Sequence, residues 1–303
     1  MYRTWLFIFL FLPALVFAGE NFFEAGIAYL YQENNLAVDS DNEKISSYSD
    51  PDDGFSKITP IVSFSYNFDK YYIKSSPLST EGGGIQAGAT FSDLLYSDLT
   101  IFAVYNLPTK VWKNPYELNT DRSHTYKNSY GLGARLEEIV DSAFSYEIKV
   151  QMDDVRSDEV GTLYDDLERD GYVISQKLYR KFGLNEHLFL NLGVTYSKGL
   201  YDGDANSYDK IGLLGRLSFN KKEYSAQLIY FFGYSKFDEN HPIFGDTRED
   251  TGGSILLSVR KNNILGNENV FASIYCGAGI GKSNIDFYEK RFEFIGMGVG
   301  YSF

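Results

Sequence analysis

The chain has one cysteine, Cys276, so no disulfide can form within it. A secreted β-sandwich would more often be stapled by such bonds. Histidine (3), methionine (3) and proline (7) are scarce. Positive charge is in deficit: the formal net charge is −13. Nucleic acid wants a basic face, so that class of partner is not expected. Beyond residue 18 no apolar run is long enough for a membrane-spanning helix.

What is present begins with a secretory leader. Arg3 is followed by an apolar run over 6–16, interrupted by Pro13, and Val16-Phe17-Ala18 places small residues where a signal peptidase reads. Cleavage is expected after Ala18, giving a leader over 1–18 and one domain over 19–303. The next residue is Gly19 and not cysteine, so a lipoprotein is not expected. If an exported chain without a spanning helix enters a membrane, it must close as a β-barrel, because every backbone polar group in lipid needs an internal partner.

The last thirteen residues favour that reading. Ile295, Met297, Val299, Tyr301 and Phe303 alternate with Gly296, Gly298, Gly300 and Ser302. A period of two makes this a strand, with one large apolar face and one nearly bare face. Large side chains outward and space inward suit a membrane barrel better than a soluble core. The pattern Gly298-x-x-Tyr301-x-Phe303 is similar to the C-terminal β-signal read by the barrel-assembly machinery, with Gly296 where a polar residue is usual. The 25 tyrosines and 24 phenylalanines fit strands and interfacial girdles.

The expected fold is therefore all-β, a transmembrane antiparallel barrel of about fourteen strands in a bacterial outer membrane. The strands fall over 21–31, 58–68, from 71, 85–92, 99–106, 130–137, 144–152, 171–182, 188–196, 210–219, 224–234, 254–261, 270–281 and 291–303. The hairpin around 71–84 is the weakest, and without it the count is twelve. Short connections near 69, 141, 183, 221 and 267 alternate with long ones over 33–57, 108–127, 153–170, 201–208 and 237–250. Short turns on the periplasmic side and long loops outside are the barrel pattern. Cys276 alternates with Ala272, Ile274 and Ala278 and is expected to face lipid.

The polar alternates assign Arg135, Glu137, Glu147, Lys149, Lys177, Arg216 and Arg260 to the lumen. On the lipid face each would cost a few kcal/mol near the midplane. They suit either a salt-bridged filling or the lining of a polar channel. About fourteen strands enclose more space than side chains fill, which favours a water-filled lumen for small polar solutes. The acidic excess lies in the long loops, at Asp50, Asp52 and Asp53, Asp153 and Asp154, Asp158 and Glu159, and Asp165, Asp166 and Glu168. Solvated loop surface explains these, and bridging through divalent cations to lipopolysaccharide phosphates is the alternative. Asp202-x-Asp204-x-Asn206 resembles the start of a calcium loop, but Ser207 and Leu213 stand where glycine and glutamate are needed. No metal or cofactor is expected. Catalysis finds little support: His124, His187 and His241 lie in or beside connections, with no evident nucleophile–base pattern.

Several loop segments carry a resemblance. The run 241–250, His-Pro-Ile-Phe-Gly-Asp-Thr-Arg-Glu-Asp, resembles the Asn-Pro-Ile-Phe-x-Lys-Thr-Arg-Glu-Asp segment of the outer-membrane family catalogued as domain of unknown function 2860. The runs 111–116, 203–208, 167–170 and 283–288 are similar to further pieces of it, in the same order. The departures are His241 for asparagine and Asp246 for lysine. The resemblance implies an outer-membrane barrel and supplies no activity. Within 241–250, Pro242 and Gly245 suit a turn, and Arg248 among Asp246, Glu249 and Asp250 suggests ion pairing that pins the loop at the mouth. The functional expectation is a porin-like barrel for small polar solutes, with a non-conducting envelope or surface-interaction barrel as the alternative. Its other partners would be outer-membrane lipid, lipopolysaccharide and the assembly machinery.

Overall fold

A computed structural model describes residues 21–303 apart from 50–53, 80–81, 93 and 95. The leader with its cut after Ala18, and Asp50, Asp52 and Asp53, lie outside the described residues. Fourteen strands follow in order: Phe22–Asn34 (β1), Phe55–Phe68 (β2), Tyr71–Ser79 (β3), Gly82–Phe91 (β4), Asp98–Trp112 (β5), His124–Glu137 (β6), Phe144–Val155 (β7), Gly171–Gly183 (β8), Leu188–Tyr201 (β9), Tyr208–Lys221 (β10), Tyr224–Asn240 (β11), Thr247–Lys261 (β12), Val270–Ser283 (β13) and Lys290–Ser302 (β14). Each pairs antiparallel with its chain neighbours, and β14 pairs with β1 from Phe22 opposite Ser302 to Asn34 opposite Lys290. The barrel is closed, and the hairpin around 71–84 belongs to its wall.

The side-chain period of two sorts each strand into two faces. On β14 Ile295, Met297 and Val299 are 59–63% exposed, while Gly296, Gly298 and Gly300 are buried. Outward apolar residues such as Ile27, Ile101, Leu132, Leu213, Ile255 and Ile274 form a continuous belt. Aromatic rings edge it on both sides. Phe23, Phe68, Tyr71, Phe144, Tyr224 and Tyr301 stand near the short turns, with Tyr66 against Phe303 at 6.2 Å and Phe68 against Tyr71 at 5.4 Å. Tyr29, Tyr105, Tyr130, Tyr172 and Tyr196 mark the other edge. An apolar belt between two girdles on a closed barrel is an outer-membrane arrangement. Among the described residues no helix is long or apolar enough to cross a membrane, so the crossing is made by strands. Cys276 does face outward, where it and Ala278 leave a shallow groove of about 560 Å³ between Tyr29, Ile255, Leu257 and Ile295.

The bare face of β14 has a packing reason. A Cβ at Gly300 would sit 2.1 Å from Phe271 Cζ, and one at Gly298 would sit 2.4 Å from Glu24 Oε1. At Gly296 it would meet Ile61 Cδ1 at 2.9 Å, which accounts for glycine where a polar residue is usual. Phe271 cannot move aside freely, because Arg260 lies 3.5 Å over its ring and Phe22 packs edge-on at 5.9 Å. Gly300→Val is therefore expected to exceed the roughly 1–3 kcal/mol usual for overpacking. The measurement is the yield of heat-modifiable folded barrel after refolding in detergent. An unchanged yield would mean that the Phe271 ring relocates.

Several strands outrun the sequence expectation. β5 reaches Trp112, β11 reaches Asn240 and β12 starts at Thr247. The connections shrink accordingly, to 113–123 for β5–β6 and 241–246 for β11–β12. Above the membrane both faces of a strand meet polar surroundings. The apolar alternation that marks a strand in lipid therefore fades while its ladder continues.

Candidate functional site: a capped mouth above a charged wall

Residues from six of the seven long-side connections meet in one apolar core. They are Ile45 from β1–β2, Tyr116 from β5–β6, Val160 and Leu167 from β7–β8, Ala205 from β9–β10, and Ile285, Phe287 and Tyr288 from β13–β14. Ile243 and Phe244 from β11–β12 pack against them. The β5–β6 and β13–β14 connections spring from nearly opposite sides of the fourteen-strand ring. Their tyrosines nevertheless touch, Tyr116 Oη to Tyr288 Oη at 2.5 Å, and His241 Nε2 lies 3.0 and 2.7 Å from the same two hydroxyls. A contact between opposite rims can only be made across the opening, so these loops cap the mouth.

Polar bonds tie the cap around its rim. Asn35 donates its amide to Phe287 O at 3.2 Å, joining the first and last loops. Arg122 is 1% exposed and donates to the carbonyls of Asn35 (3.1 Å), Pro115 (2.8 Å) and Asn42, with its guanidinium 4.5 Å over the Trp112 ring. Burial lowers its pKa to about 10, so it stays charged at neutral pH. Arg169 pairs with Asp158 and donates to Trp112 O and Lys113 O, joining β5–β6 to β7–β8. Asn206 donates to Leu167 O at 2.8 Å, and Asn284 to Thr247 O at 2.9 Å. Asn206 thus serves as a donor to loop carbonyls, and no grouping of metal-ligand residues occurs among the described residues.

The 241–250 residues do not form one ion-pair cluster, because they alternate between faces. Arg248 pairs with Asp250 at 2.6 Å and lies 3.5 Å over the Tyr288 ring. Glu249 instead pairs with Lys236 at 3.2 Å, and Asp246 accepts from Asn284 at 3.3 Å. Pro242 follows the buried His241 in the turn, and Gly245 takes a φ of +71°. The imidazole is neutral at neutral pH, since burial and the nearby Arg248 lower its pKa to about 4. Its Nδ1 accepts from Ile243 N–H at 3.2 Å, which leaves the proton on Nε2, toward the tyrosines.

Below the cap the inner wall is two-sided. On one side Arg135, Glu147 and Lys177 stand opposite one another across β6, β7 and β8. Glu147 receives Arg135 at 3.0 Å and Lys177 at 2.8 Å, and Glu137 lies 3.9 Å from Arg135. Lys149 donates to Gln151 at 2.8 Å. Arg216 projects from the same inner face of β10 and remains exposed to water. Arg260 points inward too, but it is 3% exposed, stacked on Phe271 and bonded to Ser302 Oγ at 2.8 Å. It holds the periplasmic rim and does not line open space. Across the barrel, Ala28, Leu30, Ile61, Tyr275 and Phe294 form an apolar patch, with Leu256 and Phe292 against it.

Sequence reading named the charged row but not Arg122, Tyr116 or Tyr288, whose roles depend on loops remote in sequence. The five segments carrying the family resemblance all lie in this cap or its rim. A family described as "Protein of unknown function (DUF2860)" matches residues 20–302. The chain belongs to it. Among curated proteins none matches this DUF2860 chain. Solved structures similar to it include the outer membrane channel DcaP of Acinetobacter baumannii, at 8% identity and TM-score 0.45, covering 97% of this chain and 100% of that one. A Pseudomonas aeruginosa FadL homologue matches at 11% identity and TM-score 0.46, covering 96% and 92%. LpxR from Salmonella typhimurium matches at 10% identity and TM-score 0.42, covering 92% and 100%.

Proposed function

We propose that this DUF2860 barrel is a channel for small polar solutes whose extracellular mouth is closed by the loop cap at rest. One observation carries the reading: two of the charged side chains that point into the barrel are wet, although the Arg135–Glu147 pair beside them is largely covered. Lys177 and Glu137 keep 42% and 41% of their side-chain surface exposed. A salt-bridged filling would bury them. A closed ring of fourteen strands is wider than the eight-stranded barrels whose interior side chains fill. The mixed-charge row gives a passing solute both donors and acceptors.

A second reading has its own support. The cap has an apolar core and bonds around its rim, which suits a rigid surface for an external partner on a non-conducting barrel. Single-channel recording of the refolded protein in a planar bilayer separates the two. The channel reading expects infrequent discrete steps from the wild type and frequent ones from Tyr116→Ala, which removes the central ring of the cap. Arg216→Ser should then shift ion selectivity toward cations. A barrel that stays silent with Tyr116→Ala in place would favour the surface reading.

A further inference from the structure

Acids outnumber bases in this chain, 41 to 28. Toward the periplasmic end of the lumen the balance is reversed. Lys74 on β3 faces inward, since its cross-strand partners Ser65 and Gln86 are buried on the inner face. Its ammonium lies 4.8 Å over the Tyr72 ring, whose hydroxyl accepts from the Gln86 amide at 3.1 Å. Arg216 faces inward from β10. These two strands stand seven places apart in the ring of fourteen, whichever way it is counted, so the two cations project from opposite walls. Lys74 nevertheless feels the charge of Arg216, together with those of Arg135, Glu137 and Glu147. Arg216 likewise feels Arg135 and Glu147. Side chains from opposite walls therefore reach toward one another here and make a neck of charge.

The neck is cationic. Its carboxylates are already engaged, Glu147 by Arg135 and Lys177 at 3.0 and 2.8 Å, and Glu137 by Arg135 at 3.9 Å and the Tyr179 hydroxyl at 3.5 Å. Lys74 and Arg216 belong to no ion pair among the described residues. Four cations, Lys74, Arg135, Lys177 and Arg216, thus stand against two carboxylates. Asp98, opposite Glu137, and Lys149, one inner position above Glu147, add one charge of each sign at the edges. Glu24 on β1 does not change the sum, because it is 3% exposed and holds the Tyr275 hydroxyl. Like charges gathered around one opening repel one another, and lysines and arginines that ring a pore favour anions within it.

We infer that Lys74 and Arg216, backed by Arg135 and Lys177, form an anion site that selects solutes bearing a carboxylate or phosphate group. The inference rests on the channel reading and names the charge of solute which that reading leaves open. Arg216 offers a planar fork that can hold two oxygens of one oxyanion, and Lys74 supplies a point charge from the facing wall. The bound anion completes the charge balance that the wall lacks.

The reversal potential of single channels in a potassium chloride gradient tests the site, measured on the wild type and on Tyr116→Ala. Chloride should be at least about twofold more permeant than potassium. Lys74→Gln with Arg216→Gln leaves Arg135 and Lys177 balanced by Glu137 and Glu147 and should bring the ratio to about one. Open channels that prefer potassium, or an anion preference that the double variant keeps, would overturn the inference and leave the channel reading intact. The double variant removes charges that repel, so folding should survive; if it does not, the sign of the wild-type potential still decides. A barrel that never conducts would sink the channel reading, and titration of the detergent-refolded wild type then decides on the site. Succinate and inorganic phosphate are titrated separately, which tells a carboxylate site from a phosphate site. Binding of either that weakens at least about tenfold in the double variant supports the inference. Binding of neither, or equal binding by both proteins, would overturn it.

Discussion

Arg122→Ala should release the extracellular cap. The guanidinium is buried and serves three carbonyls from two loops; its removal takes the arginine's bond from Pro115 O and Asn42 O and leaves Asn35 O only the amide of Asn42 at 3.2 Å. It also takes the cation from over Trp112. Removing one partner from a buried charged network typically costs about 3–5 kcal/mol. The loss falls on the cap, because the strand ladders below keep their own bonds, so local opening is favoured over unfolding of the barrel. Limited proteolysis of the refolded protein should then cut within 35–54 or 113–123 about 10²- to 10³-fold faster than in the wild type. Arg122→Lys keeps the charge but cannot fork to three acceptors, so it should fall between the two. If Arg122→Ala resists protease as the wild type does, the rim bonds do not hold the cap and the apolar core alone suffices.

Acid should loosen the same cap through His241. Its pKa in the folded cap is about 4, below the ordinary histidine value, because burial and Arg248 disfavour a second positive charge. A depressed pKa means that the opened cap takes up the proton more readily than the closed one. Cap stability from this group is therefore complete above about pH 6.5, falls as pH drops toward 4, and levels off below that. The total is about 3 kcal/mol at most. Protonation at Nδ1 would also break the bond from Ile243 N–H. Between pH 7 and 4.5 the rate of protease cutting, or the frequency of channel opening, should rise at least about tenfold. His241→Asn isolates the imidazole: it restores the residue of the resembling family segment and should flatten the profile over this range. Identical profiles for His241→Asn and wild type would remove His241 from the account.

The closed cap and the charged row divide the molecule by height. The cap depends on contacts among six loops. The charged row depends on register between neighbouring strands. Variants in each can therefore be measured separately.

The alternation of large and small residues by itself determined that the chain forms a barrel of about fourteen strands with an apolar outside. A period of two carries that information locally, since each residue's face follows from its neighbours'. The charged residues assigned to the lumen followed from the same parity, and six of the seven meet water or one another there. Arg260 is the exception, because the inward direction of a side chain does not say whether space lies in front of it. The closing strand was legible down to its glycines, but the reason for them was not. Gly300 faces Phe271 only after β13 and β14 have paired.

The cap was decided by tertiary structure alone. Tyr116, His241 and Tyr288 are separated by long stretches of chain, and nothing in the residues around each one specifies the others. They meet because barrel closure fixes the positions of the loop ends, so that the apolar residues of each loop find cover only in one another.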